Sequence, residues 1–385
     1  MHDLANPLVP GSEWLLDPDV TFLNHGSFGA VARAVLAEQR RQQERMERNP
    51  SEFLSVELPS ALRAAAVKLA QFLGGLGADF VFIENATAAV NTILQSVRFD
   101  PGDEILLTDH GYPAVRKATQ YLAVRTGACV VEASVPFPAP DDADIIAAIE
   151  ARLGPRTRLV ILDHVTSPTA LVFPVKQLTE LCHSAGTLVL IDGAHAPGML
   201  SLDIPAVGAD WYVGNCHKWL MAPKGAAFIW ASAERQAQLH PLVISHGLGQ
   251  GFNAEFDWVG TRDPTALLTV PAAIDWHNQA GGAKLRDRNA SLIETAATAL
   301  ASAWNTEIGS RDGNCAAMKA IRFPLRGDAT EQLARDLRAC LRMDHKIDVV
   351  VVAFADRLWA RISAQAYNCL PDYIRLADAV ASMSR

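Results

Sequence analysis

Short apolar runs alternate with segments of helical periodicity between about residues 60 and 250. The runs predict strands at 80–83, 104–108, 129–132, 158–163, 188–192, 211–214 and 226–231. The intervening segments predict helices at 61–73, 85–96, 141–153 and 178–185, and one more that ends near residue 122. Since the strands are almost wholly apolar, both faces of their sheet should be covered, which is typical of a mostly parallel sheet. This stretch is predicted to be one large α/β domain.

The two ends of the chain show different patterns. Residues 1–20 form a polar arm interrupted by prolines, and residues 21–30 predict a short strand and then a glycine-rich loop. A charged helix is predicted at 31–48, and Asn49-Pro50 ends it. After about residue 265 helices dominate as far as Trp304. The remaining predicted elements are strands at 320–324, 347–352 and 359–363 and helices at 329–341 and 372–383. The predicted division is therefore an arm at 1–20, a large domain at 21–265 and a small α+β domain at 266–385.

Composition narrows the class of protein. Half of the 385 residues are hydrophobic and a fifth are charged, which excludes a disordered, collagen-like or coiled-coil chain. The net charge is −8 and no basic block stands out, so no nucleic-acid partner is expected. The apolar run from Val349 to Ala355 is far too short to span a bilayer, so no membrane association is expected.

The cysteines and the first residues of the chain bear on its location. The N-terminus lacks the basic start and apolar stretch of a secretory signal. The six cysteines are scattered without a C-x-x-C pair, which predicts reduced thiols, a cytoplasmic protein and no metal site. They are Cys129, Cys182, Cys216, Cys315, Cys340 and Cys369.

Two charged residues lie at or just after the carboxyl ends of predicted strands. Parallel sheets bind their ligands at this edge. Asp192 ends the strand at 188–192, and Lys218 comes soon after the strand at 211–214. A carboxylate that faces a ring nitrogen and a lysine that bonds an aldehyde are the two protein groups that pyridoxal phosphate requires. Taken singly, each has a simpler interpretation: Asp192 could cap the following helix, and Lys218 could be a solvated surface group.

Two polar segments also follow strands. Asn85-Ala86-Thr87-Ala88 opens a helix, whose free N–H groups and dipole could hold an anion, although Asn85 or Thr87 could simply be an N-cap. The segment from Asp163 to Thr169 carries hydroxyls that could reach a phenolic oxygen, or it could be a polar turn before Pro168.

Eight motifs in order join these pieces: NHGSFGA (24–30), NATAAVNT (85–92), TDHGYPAV (108–115), HVTSPTALVFPV (164–175), IDGAHAPG (191–198), GNCHKW (214–219), GTRDPTA (260–266) and RISAQAYN (361–368). Together they resemble the fold type I pyridoxal-phosphate enzymes of the class V aminotransferase superfamily, and most nearly the isopenicillin N epimerase-like proteins. The chain also resembles hercynylcysteine sulfoxide lyases and, more distantly, cysteine desulfurases. The resemblance implies an α/β fold in which a large domain has a mostly parallel seven-stranded sheet and a small α+β domain lies at the C-terminus.

The resemblance also implies a role for each matching residue. Lys218 corresponds to the Schiff-base lysine and Asp192 to the partner of the pyridine nitrogen, whereas Lys224 falls after the motif. The other implied cofactor residues are His195 and Ser167 near the phenolic oxygen, Ala86, Thr87, Asn215 and His217 at the phosphate, and Tyr112 or His110 stacked on the ring, with Tyr112 favoured. Thr261 resembles a phosphate ligand supplied by a neighbouring subunit, which implies a homodimer.

The resemblance also implies substrate-binding residues and a set of reactions. Arg361 resembles the arginine that binds a substrate carboxylate, and Asn24 and His25 would line the substrate side. The segment 344–359 contains no cysteine, so transfer of sulfur through a persulfide is not expected. Three reactions on a small amino-acid-like substrate remain open. Epimerisation is favoured, with Lys218 on one face and Tyr112, His25 or a water on the other; β-elimination from a cysteine conjugate or sulfoxide, and transamination, are the alternatives.

Overall fold

The computed structural model describes residues 3–311, 313–314, 316–325 and 328–383. The strands are β1 (Thr21–Phe22), β2 (Phe80–Ile83), β3 (Glu104–Thr108), β4 (Cys129–Ala133), β5 (Thr157–Asp163), β6 (Leu188–Asp192), β7 (Trp211–Asn215), β8 (Ala227–Ala231), β9 (Met318–Arg322), β10 (Ile347–Asp348), β11 (Val350–Phe354) and β12 (Arg357–Ser363). Among the described helices, none has both the length and the hydropathy needed to cross a bilayer.

The α-helices alternate with the strands over most of the chain. They are α1 (His25–Phe28), α2 (Arg33–Arg48), α3 (Pro50–Glu52), α4 (Leu58–Leu73), α5 (Ala86–Ser96), α6 (Pro113–Thr126), α7 (Asp142–Glu150), α8 (Val175–Ser184), α9 (Ile204–Val207), α10 (Ala233–Gln236), α11 (Phe252–Asp257), α12 (Thr265–Leu268), α13 (Val270–Gln279), α14 (Ala283–Trp304), α15 (Glu331–Asp344) and α16 (Leu370–Met383). Local sequence sets their ends: Asp141 and Asp144 form a capping box at the start of α7, and left-handed Gly127 ends α6.

The large sheet has seven strands in the order β2-β8-β7-β6-β5-β3-β4. The pairs among β4, β3, β5, β6 and β7 are parallel, and only β8 runs against its neighbours. The prediction of a mostly parallel seven-stranded sheet is therefore confirmed. Residues alternate between two buried cores, with Val160 and Leu162 in one and Leu159 and Ile161 in the other, so both faces are covered.

A second sheet has three antiparallel strands in the order β11-β12-β9. One of its faces packs with α14, α15 and α16 in a separate core that contains Leu358, Ala360 and Ile362. Because side chains alternate along a strand, Arg361 projects from the opposite face, towards the large sheet. From this face Arg361 contacts Ser27 and Ser167, two residues of the cavity wall described below.

The N-terminal segment connects the two sheets. β1 pairs in parallel with β10, and the Gly26 N–H donates to the Ser363 hydroxyl of β12. The glycine-rich loop predicted at 21–30 is in part a short helix, α1. Gly29 has φ +72°, and a Cβ there would collide with the His217 carbonyl oxygen, so the segment lies directly against the backbone before Lys218.

Candidate active site

A cavity of about 520 Å³ lies at the carboxyl ends of β5, β6 and β7. Parallel strands end at the same edge of the sheet, so the residues that end these three strands, Asp163, Asp192 and Asn215, come together there. The lining residues are Ser27, Phe28, Glu84, Asn85, Ala86, Thr87, Tyr112, Asp163, Ser167, Asp192, Ala194, His195, Asn215, His217, Lys218 and Gly225. The volume is that of a small-molecule site.

Lys218 lies in the turn between β7 and β8, and its Nζ is 3.2 Å from Nε2 of His195. Nδ1 of His195 accepts a hydrogen bond from Nε1 of Trp219, so a neutral His195 carries its proton on Nε2 and donates it to the amine. Burial, reinforced by the charge of Arg361, lowers the pKa of Lys218 to about 8, against the opposing effect of Asp192 and Asp163. Burial also holds the pKa of His195 well below its usual range. Burial and the His195 donor therefore both increase the fraction of neutral Lys218 amine near neutral pH relative to an exposed lysine.

Asp192 is only 4% exposed, and its Oδ1 accepts a hydrogen bond from the Ala194 N–H at 3.0 Å. Burial raises the pKa of its carboxyl, while the Ala194 bond and the charge of Lys218 act in the opposite direction. A buried carboxylate without a protein counter-ion in contact is costly, and a cationic ligand group relieves that cost.

The helix α5 begins at the edge of the cavity. The Ala86 N–H donates to Asn215 Oδ1 at 2.9 Å, and the Ala88 N–H donates to Asn85 Oδ1 at 2.8 Å. Asn85 is thus an N-cap, and Asn215 fixes the first turn of the helix against β7 rather than facing the cavity as a free acceptor. The positive end of the helix dipole points into the cavity beside Thr87.

His217 lines the same end of the cavity. Its Nδ1 donates to the Ala226 carbonyl at 3.0 Å. In the neutral ring, Nε2 therefore carries a lone pair and can only accept a hydrogen bond. Burial lowers the pKa of His217 to about 4. A bound anion raises the pKa of a neighbouring imidazole, and His217 can donate a hydrogen bond to an anion only when its ring is protonated.

Arg361 is 4% exposed and lies behind the cavity wall formed by two serines. Its Nη1 donates to the Ser167 carbonyl at 2.5 Å and to the Ser167 hydroxyl at 3.3 Å, and its Nη2 donates to Ser27 Oγ at 3.2 Å. Its Nε has no hydrogen-bond partner among the described residues. Burial lowers the pKa of Arg361 to about 10, so it stays cationic and is suited to binding a carboxylate.

The structure does not bring every predicted residue to the cavity. His110 is fully buried elsewhere, bonded to the Thr169 hydroxyl and the Val135 carbonyl, whereas Tyr112 lines the cavity and is 41% exposed. Asn24 bonds to Asp348 and Ser27, away from the cavity, and Thr261 is exposed on the surface.

His25 is also displaced from its expected place on the substrate side. It is completely buried behind Lys218, where its Nε2 lies 3.1 Å from the Lys218 carbonyl oxygen and its Nδ1 lies 2.8 Å from the Tyr367 hydroxyl. Burial lowers its pKa to about 3. His25 thus holds the backbone of Lys218 instead of facing the cavity.

Several lining residues were not selected from the sequence. Ser27 and Phe28 lie on α1, which the sequence analysis expected as loop, and Glu84 forms an ion pair with Arg262. Asp163 ends a buried strand just as Asp192 does, so the argument that selected Asp192 could have found it.

The donor set fits the group that the sequence resemblance implies. A buried carboxylate, an amine with a lowered pKa and a helix N-terminus surround one cavity, and a cationic guanidinium with an unpartnered Nε lies behind the serines of its wall. Pyridoxal phosphate needs the first three for its ring nitrogen, its aldehyde and its phosphate. Within the described part of the chain, no cluster of three His, Cys, Asp or Glu could hold a metal ion.

Comparison with known proteins adds independent findings. The family model of the class V aminotransferases matches residues 29–373. The probable chloroplastic L-cysteine desulfhydrase of Arabidopsis thaliana is 32% identical, over 96% of this chain and 84% of that protein. The isopenicillin N epimerase of Amycolatopsis lactamdurans is 34% identical, over 96% of both chains. Among solved structures, the cystine C-S lyase C-DES in complex with its product cysteine persulfide superposes with a TM-score of 0.80 at 21% identity, over 94% of this chain and 98% of that one, which shows a shared fold.

Proposed function

The chain belongs to the class V aminotransferase family, and on that premise we propose that it is a carbon–sulfur β-lyase that acts on L-cysteine or an S-substituted cysteine. Family membership makes it an enzyme of the fold type I class with pyridoxal 5'-phosphate as its cofactor. The relatives include both desulfhydrases and epimerases, so the choice between reactions depends on the cavity itself.

The observation that carries the proposal is the one-sided arrangement of the cavity's bases. Lys218 and His195 lie together, and His25, a candidate for the opposite face, lies behind the Lys218 backbone. β-Elimination needs a single base at the α-carbon, whereas epimerisation needs a proton donor on each face.

When bound, pyridoxal phosphate withdraws electrons from the substrate α-carbon and makes the α-proton acidic. Asp192 would hold the ring nitrogen, Lys218 the aldehyde carbon, and the first turn of α5 the phosphate. Arg361 would bind the substrate carboxylate and so place the α-proton near Lys218 Nζ. Once the substrate amine has replaced it at the aldehyde carbon, the free Lys218 amine would take that proton and pass it to the sulfur, which would leave as a thiol as the Cβ–S bond breaks. The enamine product then reacts with water to give pyruvate and ammonia.

No thiol of the described residues lines the cavity. Cys216 is fully buried, and burial raises the pKa of its thiol, so it is not a nucleophile. Cys315 lies outside the described residues. The cavity therefore favours release of sulfur as a free thiol over its transfer to a protein cysteine.

Epimerisation is the second candidate because Tyr112 lines the cavity with an ionisable hydroxyl. If Tyr112 faces the α-carbon opposite Lys218, it could return the proton from the other side.

We also infer a cytoplasmic homodimer. The described cysteines Cys129, Cys182, Cys216, Cys340 and Cys369 are unpaired, which fits a reducing compartment. Thr261 lies next to Arg262, which contacts a pocket lined by the exposed apolar residues Leu242 and Val243. A second copy packed on this patch would lie beside Thr261, which the sequence resemblance implies is a phosphate ligand for the neighbouring subunit.

Proton NMR in heavy water separates the two reactions. The holoenzyme is incubated with L-cysteine, S-methyl-L-cysteine or L-alanine, and the remaining substrate is analysed on a chiral column. We expect pyruvate from the sulfur-bearing substrates and retained L-configuration in L-alanine. Racemised substrate without pyruvate would instead establish the epimerase.

Lys218→Ala and Lys224→Ala are the matched variants for this assay. Lys218→Ala should abolish pyruvate formation and the borohydride-trapped adduct, whereas Lys224→Ala should keep both. A trapped adduct that persists in Lys218→Ala would show that another lysine bonds the cofactor.

A further inference from the structure

Two carboxyl groups lie side by side where the cavity meets the sheet. Asp163 ends β5 and Asp192 ends β6, and the two residues are direct partners in the parallel register. Neighbouring strands lie about 5 Å apart, and paired residues project to the same face. Both residues line the cavity, and they are 7% and 4% exposed. The family resemblance gives a role to Asp192 only.

The surroundings of the two carboxyls differ. Asp192 accepts the Ala194 N–H, which stabilises its ionised form, whereas among the described residues the Asp163 carboxyl has only its own backbone N–H as a hydrogen-bond donor. Burial and the charge of Asp192 together raise the pKa of Asp163 well above its usual range. Burial raises the pKa of Asp192 as well, and at both carboxyls a backbone hydrogen bond and the charge of Lys218 act in the opposite direction, but the rise is the larger at Asp163.

The charged groups around Asp163 are few. Asp192 on β6 and Lys218 after β7 are the charges that act on it. In the loop after β3, Asp109 accepts hydrogen bonds from Ser134 and Val135, and His110 is bonded to Thr169. The next residue in the chain, His164, is bonded to the Tyr212 hydroxyl.

We propose that Asp163 and Asp192 act as one acid pair that holds a single proton, with the proton on Asp163. Two like charges at neighbouring positions in a buried site cannot both be ionised without a large cost. The protonated Asp163 is then a hydrogen-bond donor beside the ionised Asp192. The pair presents one negative charge to the ring nitrogen, which is the charge needed to balance one proton there. This arrangement holds whichever reaction follows.

The variant Asp163→Asn tests the assignment, because an amide has the shape and donor capacity of a neutral acid. In the holoenzyme, cofactor affinity is measured by equilibrium dialysis, and the absorption spectrum of the bound cofactor is recorded across neutral pH. We expect Asp163→Asn to bind the cofactor within about threefold of the unmodified protein, with an unchanged spectrum at pH 7. Asp192→Asn, the matched control, should lose about tenfold or more, which corresponds to one pKa unit or more of lost stabilisation of the ring proton, and its spectrum should change. Equal losses in the two variants would show that Asp163 is ionised and would overturn the proposal.

A second measurement needs neither turnover nor a successful variant. Infrared spectroscopy of the unmodified holoenzyme at pH 7 should show the C=O stretch of a neutral buried carboxylic acid. That band should disappear in Asp163→Asn. Absence of the band in the unmodified protein would refute the single shared proton, while the reaction proposed above would be unaffected.

Discussion

At the scale of the residue, the charge of Lys218 depends on which nitrogen of His195 carries the proton. The indole N–H of Trp219 occupies Nδ1, which leaves the proton on Nε2, facing the amine. A donor in that position favours a neutral amine, in the same direction as burial. Trp219 is thus connected to the Lys218 amine through His195, and this connection acts in addition to burial and the charge of Arg361.

Replacement of Trp219 by Phe should shift the titration of Lys218 upward. Without the indole N–H, His195 can carry its proton on Nδ1 and accept from the ammonium, which raises the pKa of Lys218 above its value of about 8. A rise of one unit leaves about tenfold less free amine at pH 7. The rate at which the apo-protein incorporates pyridoxal phosphate, followed by absorbance against pH, should have its midpoint at higher pH.

Trp359→Phe is the matched control for this prediction. Trp359 is also buried, but its Nε1 donates to the Phe354 carbonyl within the small sheet. Its replacement should leave the midpoint unchanged. An unchanged midpoint in Trp219→Phe as well would remove the assigned role of the indole.

The sequence predicts the residues whose place follows from the order of strands. Asp192, Asn215 and Lys218 come at or just after strand ends, and parallel strands bring their ends together. His25 could not be placed in this way, because its position depends on the close approach of α1 to the Lys218 turn, a contact between segments far apart in the chain. The choice between His110 and Tyr112 likewise depended on which direction each side chain faces from one loop.

At the scale of the element, the apolar patterns located the strands of the large sheet to within two residues. The antiparallel direction of β8 was not predicted, because the apolar pattern of a buried strand does not depend on the direction in which the strand runs. The run predicted at 347–352 is divided into β10 and β11, which pair with different sheets. The domain boundary at residue 265 stays a prediction.

The contact of α1 with the Lys218 turn predicts different effects for two glycines. Both Gly29 and Gly102 have positive φ, but a Cβ meets the His217 carbonyl at Gly29 and open space at Gly102. Each change to Ala should cost about 1 kcal/mol from backbone strain, and Gly29→Ala about 1–3 kcal/mol more from overpacking. Thermal unfolding measures this difference.

Cofactor incorporation should distinguish the same two variants. Gly29→Ala displaces the backbone that carries Lys218, so incorporation should slow, whereas Gly102→Ala should behave like the unmodified protein. Equal behaviour of the two variants would argue against a close contact at Gly29.

At the scale of the whole molecule, the proposed homodimer rests on an exposed apolar patch. Ile244 is 53% exposed and follows Leu242 and Val243 in the chain. Ile244→Glu would bury an unpaired carboxylate in a dimer, at a cost of roughly 3 kcal/mol or more, which weakens association at least about a hundredfold. Sedimentation should then show monomers, and the cofactor should bind less tightly because Thr261 would no longer reach a neighbour.

Met343→Glu serves as the control for the dimer. Met343 is comparably exposed but lies on α15 of the small sheet's helical layer, so its replacement should leave both the sedimentation and the affinity unchanged. A monomeric unmodified protein that binds the cofactor fully would contradict the proposed dimer.

The contacts of the N-terminal segment with β10 and β12 also determine when a growing chain can complete its substrate site. Asn24 bonds to Asp348, 324 residues away, and Ser27 bonds to Arg361. On the ribosome, the segment that carries Ser27 is made 334 residues before Arg361 and must wait for that length of chain before its partner emerges. Closing so long a loop costs little more than closing one half its length, so the delay is one of time rather than of energy. We therefore expect a nascent chain released before β12 to contain Lys218 and Asp192 but to lack a place for the substrate carboxylate, so that catalysis begins only after β12 has been made.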